Sequence, residues 1–489
     1  MSTNFAPLQK DFYKVSHVNQ YPKGTELIYS NFTPRSGRLS NIPGSKGIYF
    51  IGLQYFIIKH LIREWGETFF KQPKDFVIQS YKEIVDDSLG ETNVSHIESL
   101  YDLGYLPIEI KALPEGSFVP YGVPVLTIKN TLPEFFWVTN MIETVLSAEL
   151  WLPCSTATTS RAFYNKSLEF SEKTCDDNSF VPFQQHDFSM RGMQCKEAAA
   201  ISGFAFIATG SKGTDTIPAI LLAKEYYGAT TDIAYSVPAS EHSVVCSGGH
   251  EDELETLTRI ITEVYPTGIV SYVADSYDFW KVVTEYLPTL KDRIESREGK
   301  LVIRPDSGDP VDIICGIYPI IGGCLPEDKG LIECLWDTFG GTINSKGYKV
   351  LNPKIGTIYG DSITLDRQQS IFVRLEQKGF ASNNIVFGIG SYSLGYVTRD
   401  THGFALKSTY AIINGKSRVI FKDPKTDDGT KKSAKGLLMV SHENGQYTLN
   451  DNVEPKHEKH GCLEVVFKDG KLVKETSLAE IRKIVSDNL

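Results

Sequence analysis

The chain has 489 residues, 41% of them hydrophobic, with a formal charge of −10 and a pI near 5.6. It is too long for one simple core and too apolar for disorder, so two or three packed units are expected. The acidic balance excludes nonspecific binding to nucleic acid or acidic membranes, which needs a broad basic face, and leaves any anionic ligand to a local cluster of cations.

The opening MSTNFAPLQKDFY has no basic stretch followed by an apolar core. Nor does any run approach about eighteen apolar residues, so the chain reads as soluble and cytoplasmic. IYFIGLQYFIIKHLIREW has apolar residues three and four apart and reads as helical, while LPIEIKALPEGSFVPYGVPVLTIKN reads as short strands cut by Pro and Gly. Between them, IVDDSLGET faintly resembles an acidic ribose-binding loop. It lacks a phosphate-cradling turn and reads as a helix end with solvated acids. Residues 1–150 are thus expected to form an α+β unit.

From about Ser155 to Asp400 helical patterns such as MQCKEAAAISGFAFIATG and DELETLTRIITEVY alternate with short apolar runs. Four runs end alike, at Asp275, Asp306, Asp361 and Ser391. Spacings near thirty residues match one strand-plus-helix repeat. The stretch from Pro310 to Tyr348 reads as an insertion. Asp232 to Val237 reads as a further strand, which puts Glu241 and His242 of YSVPASEHS just past its end. Apolar strands finishing in polar residues are what a parallel barrel requires, because strand bodies fill the core and their C-terminal ends line a shared mouth. After Asp400 β-like runs return and a helix, SLAEIRKIVSD, closes the chain, with the lysine-bearing DPKTDDGTKKSAKG reading as a mobile loop.

The eight cysteines are scattered without a CxxC pair, as expected for reduced thiols, which excludes a disulfide scaffold or structural zinc. His457 and His460 have ligand-like spacing but no third ligand nearby, so no protein metal site is assigned.

Taken in order, DFYKVSHVNQYP, QHDFSMRG, KGTDT, YSVPASEHS, ADSYD, IRPDSGDP, YGDS and VTRD resemble the nicotinamide phosphoribosyltransferases, which are type II phosphoribosyltransferases. The resemblance implies an irregular, TIM-like α/β barrel over residues 151–400, with a flanking α+β domain built from residues 1–150 and 401–489. It implies a homodimer with shared active sites. The implied reaction joins nicotinamide to 5-phosphoribosyl-1-diphosphate, giving nicotinamide mononucleotide and diphosphate in NAD salvage. Mg2+ would arrive on the diphosphate substrate, and ATP would be a coupled co-substrate that phosphorylates His242, with Glu241 orienting the ring.

By the same resemblance Arg191, His242 and Arg304 contact the phosphate-bearing substrate, and Asp306 lines the nucleotide site with Arg304. Gly360 and Asp361 meet the ribose, and Ser391 and Arg399 hold the 5′-phosphate side. Asp215 accepts the carboxamide N–H, Phe188 stacks on the ring, and Tyr13 closes the ring from the partner subunit. Asp275 is either a magnesium-side acid or the N-cap of the next helix. Vertebrate members have G-S-G-G-G where this chain has GIGSY, so side chains of Ser391 and Tyr392 must be accommodated. The other readings are a nicotinate phosphoribosyltransferase, which the Asp215 charge disfavours, and a nonenzymatic binding protein on the same scaffold.

Overall fold

The computed structural model describes residues 4–317, 324–422 and 433–487. The chain divides into two compact units, one of residues 1–158, 222–230 and 397–489 and the other of residues 159–221 and 231–396. One boundary falls inside the helix Val138–Thr174, which carries Pro153 in its interior. This helix escapes the sequence reading because its apolar residues do not keep to one stripe.

In the first unit, strands from both ends of the chain share an antiparallel sheet of seven strands. Its order is Lys416–Val419, Ala405–Ile413, Thr25–Thr33, Leu126–Asn130, Ile108–Ala112, Glu464–Lys468 and Lys471–Leu472. A continuous core that includes Phe32, Phe50, Phe56, Phe69, Tyr81 and Leu126 lies in this unit. The helical run expected from Ile48 begins later, at Leu53, because Gly47–Tyr49 pairs as a strand with Phe118–Pro120. Gly52 precedes the helix at φ +105°, a conformation that favours glycine. The fully buried Glu115 carboxylate accepts from the backbone N–H of Gly52 (2.6 Å) and Gln54 (2.7 Å), and from Tyr227 Oη–H (3.0 Å). It thus satisfies orphan donors at a helix start. The IVDDSLGET acids do fall at the end of a helix, Lys74–Leu89, with Asp86 paired to Lys82.

Six parallel strands organise the second unit: β1 (Gln185–Asp187), β2 (Gly213–Thr214), β3 (Thr267–Val273), β4 (Glu298–Arg304), β5 (Ile355–Tyr359) and β6 (Val386–Ile389). Their order is β2-β1-β6-β5-β4-β3, a parallel half-barrel. The strand expected over Asp232–Val237 is irregular, since Pro238 lacks an N–H and the segment makes only single bridges. Tyr235 bridges Gly213 of β2 and Ala239 bridges Ser271 of β3, so the stretch from Tyr235 to Ser240 hydrogen-bonds to both edges of the sheet.

The Pro310–Tyr348 stretch contributes helices Pro310–Cys315 and Leu331–Phe339, and a strand, Gly341–Ile343, that pairs with Lys349–Leu351 just beyond it. Residues 318–323 of it, and residues 423–432 of the expected mobile loop, lie outside the described residues. Among the described residues no helix is long and apolar enough to cross a membrane, and no group of three or more His, Cys, Asp or Glu is disposed to hold a metal.

Replacing Glu115 with Ala leaves three buried donors without their acceptor. The expected loss in urea unfolding is about 2–4 kcal/mol, with Glu115→Gln recovering part of it.

Candidate active site

Parallel strands point all their C-terminal ends to one side, so the residues that follow them converge. Phe188 follows β1, Asp215 follows β2, Asp275 follows β3 and Asp306 follows β4, which itself ends in Arg304. Gly360 and Asp361 follow β5, Ser391 lies just past β6, and Glu241 and His242 come after the irregular segment. A cavity of about 660 Å³ opens there. Phe188, Arg191, Asp215, Arg304, Asp306, Gly360, Asp361 and Ser391 all line it. A second cavity of about 790 Å³, mostly apolar, lies beside the strand bodies and shares Phe188 and Asp215 with the first. Lys300 lines this second cavity, and burial lowers its ammonium from the ordinary lysine value.

Asp215 Oδ1 meets His186 Nε2 at 2.8 Å and accepts from Ser236 Oγ–H at 2.5 Å. Burial disfavours its charge, but the His186 contact, the Ser236 hydroxyl and the charge of Arg304 outweigh that and hold it below the ordinary Asp value. The carboxylate is therefore ionised throughout the neutral range, and its other oxygen remains to accept from a ligand. The ring of Phe188 lies 4.8 Å from that of His186, tilted by 47°. A Cβ on Gly388 would come within 2.5 Å of Phe188 Cδ2, so that strand must be bare where the ring lies.

Asp187, between His186 and Phe188, escapes the sequence reading. It is fully buried, and accepts from Ser189 N–H (2.9 Å) and Oγ–H (2.7 Å) on one oxygen and from Thr214 Oγ1–H (2.9 Å) on the other. An acid followed two residues later by serine is a local turn signal that QHDFS does contain.

Next to Asp306, His242 Nε2 lies 3.9 Å from both Asp275 Oδ1 and Asp306 Oδ2, and its Nδ1 is 3.2 Å from Ser276 Oγ. Glu241, expected to orient the ring, instead accepts from Ser243 Oγ–H, so the orienting contacts come from the Asp275–Ser276 loop. The reason is positional: Glu241 precedes a short helix, His242–Cys246, in extended conformation and its side chain turns back to that helix. Asp275 is no N-cap for the following helix. Asp278 caps it, while Asp275 Oδ2 accepts from Asp306 N–H (3.0 Å) and Ser307 Oγ–H (2.6 Å).

Asp306 also pairs with Arg304 Nε at 3.3 Å. Burial raises its carboxyl above the ordinary Asp value, Arg304 and His242 oppose this, and the charges of Asp275 and Asp361 add to it. Asp275 Oδ1 and Asp306 Oδ1 are buried without a hydrogen-bond partner among the described residues. Such hard oxygens suit a magnesium ion carried in by a ligand.

A Cβ on Gly360 would fall 2.1 Å from Asp306 Oδ1. The next residue but one, Ser362, takes φ +57° and donates to Asp361 Oδ2 at 2.6 Å, which fixes the Asp361 carboxylate in a strained turn. Arg191 sits in the turn Met190–Gly192, where Gly192 is backed by Ser391.

Tyr13 and Arg399 belong to the other compact unit. Tyr13 is 61% exposed, with its ring edge-on to His17 at 4.9 Å. Arg399 pairs with Asp400 and acts electrostatically on Lys407, together with Arg35 and Lys422. Burial lowers the Lys407 ammonium from its ordinary value, Glu143 opposes, and these like charges add to the lowering. Of these four cations only Arg399 belongs to a sequence motif, VTRD.

Alanine at Gly360 should displace the buried Asp306 carboxylate and lower stability by about 1–3 kcal/mol, which thermal unfolding would register as a fall of several degrees.

A family model for the nicotinate phosphoribosyltransferase (NAPRTase) family matches residues 183–470, and one for the nicotinamide phosphoribosyltransferase N-terminal domain matches residues 5–110. A nicotinamide phosphoribosyltransferase of Acinetobacter baylyi is 50% identical over 100% of this chain and 99% of its own. Another, of Xanthomonas campestris pv. campestris, is 33% identical over 97% of both. Among solved structures, a nicotinate-nucleotide pyrophosphorylase from Pyrococcus furiosus aligns with a TM-score of 0.58 at 16% identity, covering 99% of this chain and 94% of the other. Human nicotinic acid phosphoribosyltransferase aligns at 0.57 and 15%, covering 98% and 93%. The two structures speak for the mixed α/β fold. With a family model spanning more than half its length and full-length relatives at up to half identity, the chain belongs to the nicotinate phosphoribosyltransferase (NAPRTase) family, among its nicotinamide phosphoribosyltransferases.

Proposed function

We propose that this protein is a nicotinamide phosphoribosyltransferase of the cytoplasm, a pentosyltransferase joining nicotinamide to 5-phosphoribosyl-1-diphosphate to give nicotinamide mononucleotide and diphosphate in NAD salvage. The observation that carries this reading is the ionised Asp215 carboxylate beside Phe188. A fixed anion with a free oxygen accepts an amide N–H and repels the carboxylate of nicotinate. Phe188 would stack on the pyridine ring, leaving the ring nitrogen directed at the sugar.

The ring nitrogen has a free lone pair, so no general base is required. The barrier is charge separation as diphosphate leaves and the ribose becomes oxocarbenium-like, and it falls through positioning and electrostatic stabilisation. Asp361 and the Gly360 backbone would hold the ribose, while Arg191 and Arg304 take the phosphate-bearing groups. Magnesium brought by the diphosphate would neutralise its charge, and Asp275 and Asp306 offer the oxygens that suit it. Ser391 and Arg399 would serve the 5′-phosphate. ATP would phosphorylate His242, whose ring is set by Ser276 and faced by Asp275 and Asp306.

The bridges at Tyr235 and Ala239 support a finer reading of the half-barrel, an irregular α/β barrel in residues 151–400 accompanied by an α+β domain from residues 1–150 and 401–489. A homodimer with shared sites is part of the proposal. Tyr13 is free to reach a partner's nicotinamide, and Ile217 and Leu221, exposed one turn apart just after Asp215, are apolar surface that a second copy would cover.

Incubation with nicotinamide, phosphoribosyl diphosphate and magnesium, with products read by mass spectrometry, tests the assignment. Absence of nicotinamide mononucleotide would end it. Asp215→Ala should lower kcat/KM for nicotinamide about a hundredfold and relax the discrimination against nicotinate, because acceptor and repulsion vanish together. ATP labelled in its γ-phosphate should leave an acid-labile phosphate that peptide mapping finds on His242, and His242→Ala should carry none.

A further inference from the structure

The turn from Gly390 to Tyr396 packs against the one that carries Arg191. A Cβ on Gly192 would meet Ser391 Oγ at 2.0 Å, and one on Gly395 would meet Met193 Sδ at 2.8 Å. The Gln194 side-chain amide also donates to the Gly395 carbonyl at 2.9 Å. This close packing joins the two turns into one rim of the 660 Å³ cavity. Residues 190–193 and 390–393 include no acid, whereas Asp215, Asp306 and Asp361 stand elsewhere on the lining. The anionic end of a ligand is therefore drawn to the Arg191 rim.

Tyr392 stands on this rim and lines the cavity while remaining 65% exposed. Its ring lies nearly parallel to that of Tyr396, which is 79% exposed, with centroids 5.5 Å apart and planes 12° apart. One exposed tyrosine is ordinary. Two rings held face to face within a turn have surrendered part of their rotational freedom before a ligand arrives, so less is lost on binding.

We propose that Tyr392 determines specificity for the phosphorylated substrate: its phenolic O–H donates to a phosphate oxygen held by Arg191, and Tyr396 fixes the ring that presents it. The proposal rests on the phosphoribosyl diphosphate reading above and adds one contact to it.

The test uses the full-length protein, with calorimetric titration of magnesium phosphoribosyl diphosphate and steady-state kinetics. Tyr392→Phe should weaken binding and raise KM for phosphoribosyl diphosphate by about three- to tenfold, with kcat and the KM for nicotinamide moving less than about twofold. Tyr396→Phe keeps the stack and should bind as the wild type does, while Tyr396→Ala should fall between. A wild type that binds, with Tyr392→Phe equal to it, overturns the proposal alone. A wild type that binds no phosphoribosyl diphosphate overturns both the proposal and the function beneath it.

Discussion

The candidate site depends on one buried carboxylate. Asp187 ties the end of β1 to the end of β2 through Thr214 and holds the following turn through Ser189, so Phe188 and Asp215 stand side by side. A carboxyl group kept from solvent needs its oxygens well supplied with partners, and three donors within 3 Å meet that need. The His186 and Ser236 contacts then act on an Asp215 already placed. Positioning of this kind on strand ends is stiffer than a loop alone could provide.

Much of this was legible in the sequence where chemistry and local pattern coincide. The acidic endings after β3, β4 and β5 showed as apolar runs cut off by Asp275, Asp306 and Asp361, because a strand's burial and its exposed end differ in composition. Glu115, Asp187 and the Arg35–Lys407–Lys422 cluster were not legible. Their meaning lies in partners distant in sequence, such as Gly52 for Glu115, Thr214 for Asp187 and Arg35 for Lys407. Glu241 is the reverse case: adjacency to His242 suggests a contact, but Glu241 stands in extended backbone at the start of the helix His242–Cys246 and its carboxylate is taken by Ser243.

Glycine has a specific part in this arrangement. Gly388, Gly360 and Gly192 each leave a gap that a functional side chain fills, respectively Phe188, Asp306 and Ser391. The site is thus shaped as much by missing Cβ atoms as by its polar groups, and it has little slack for added volume.

Strand Thr25–Thr33 pairs along nearly its whole length with Ala405–Ile413. During synthesis at about 5–20 residues per second, the stretch from Thr33 to Ala405 takes roughly 20–75 s to leave the ribosome. For that interval one edge of an apolar strand, with Ile28 and Phe32 among its residues, has no permanent neighbour. The first unit cannot mature ahead of the second, and the nascent chain carries an exposed sheet edge for most of its time of production, a burden that falls to chaperones rather than to the finished enzyme.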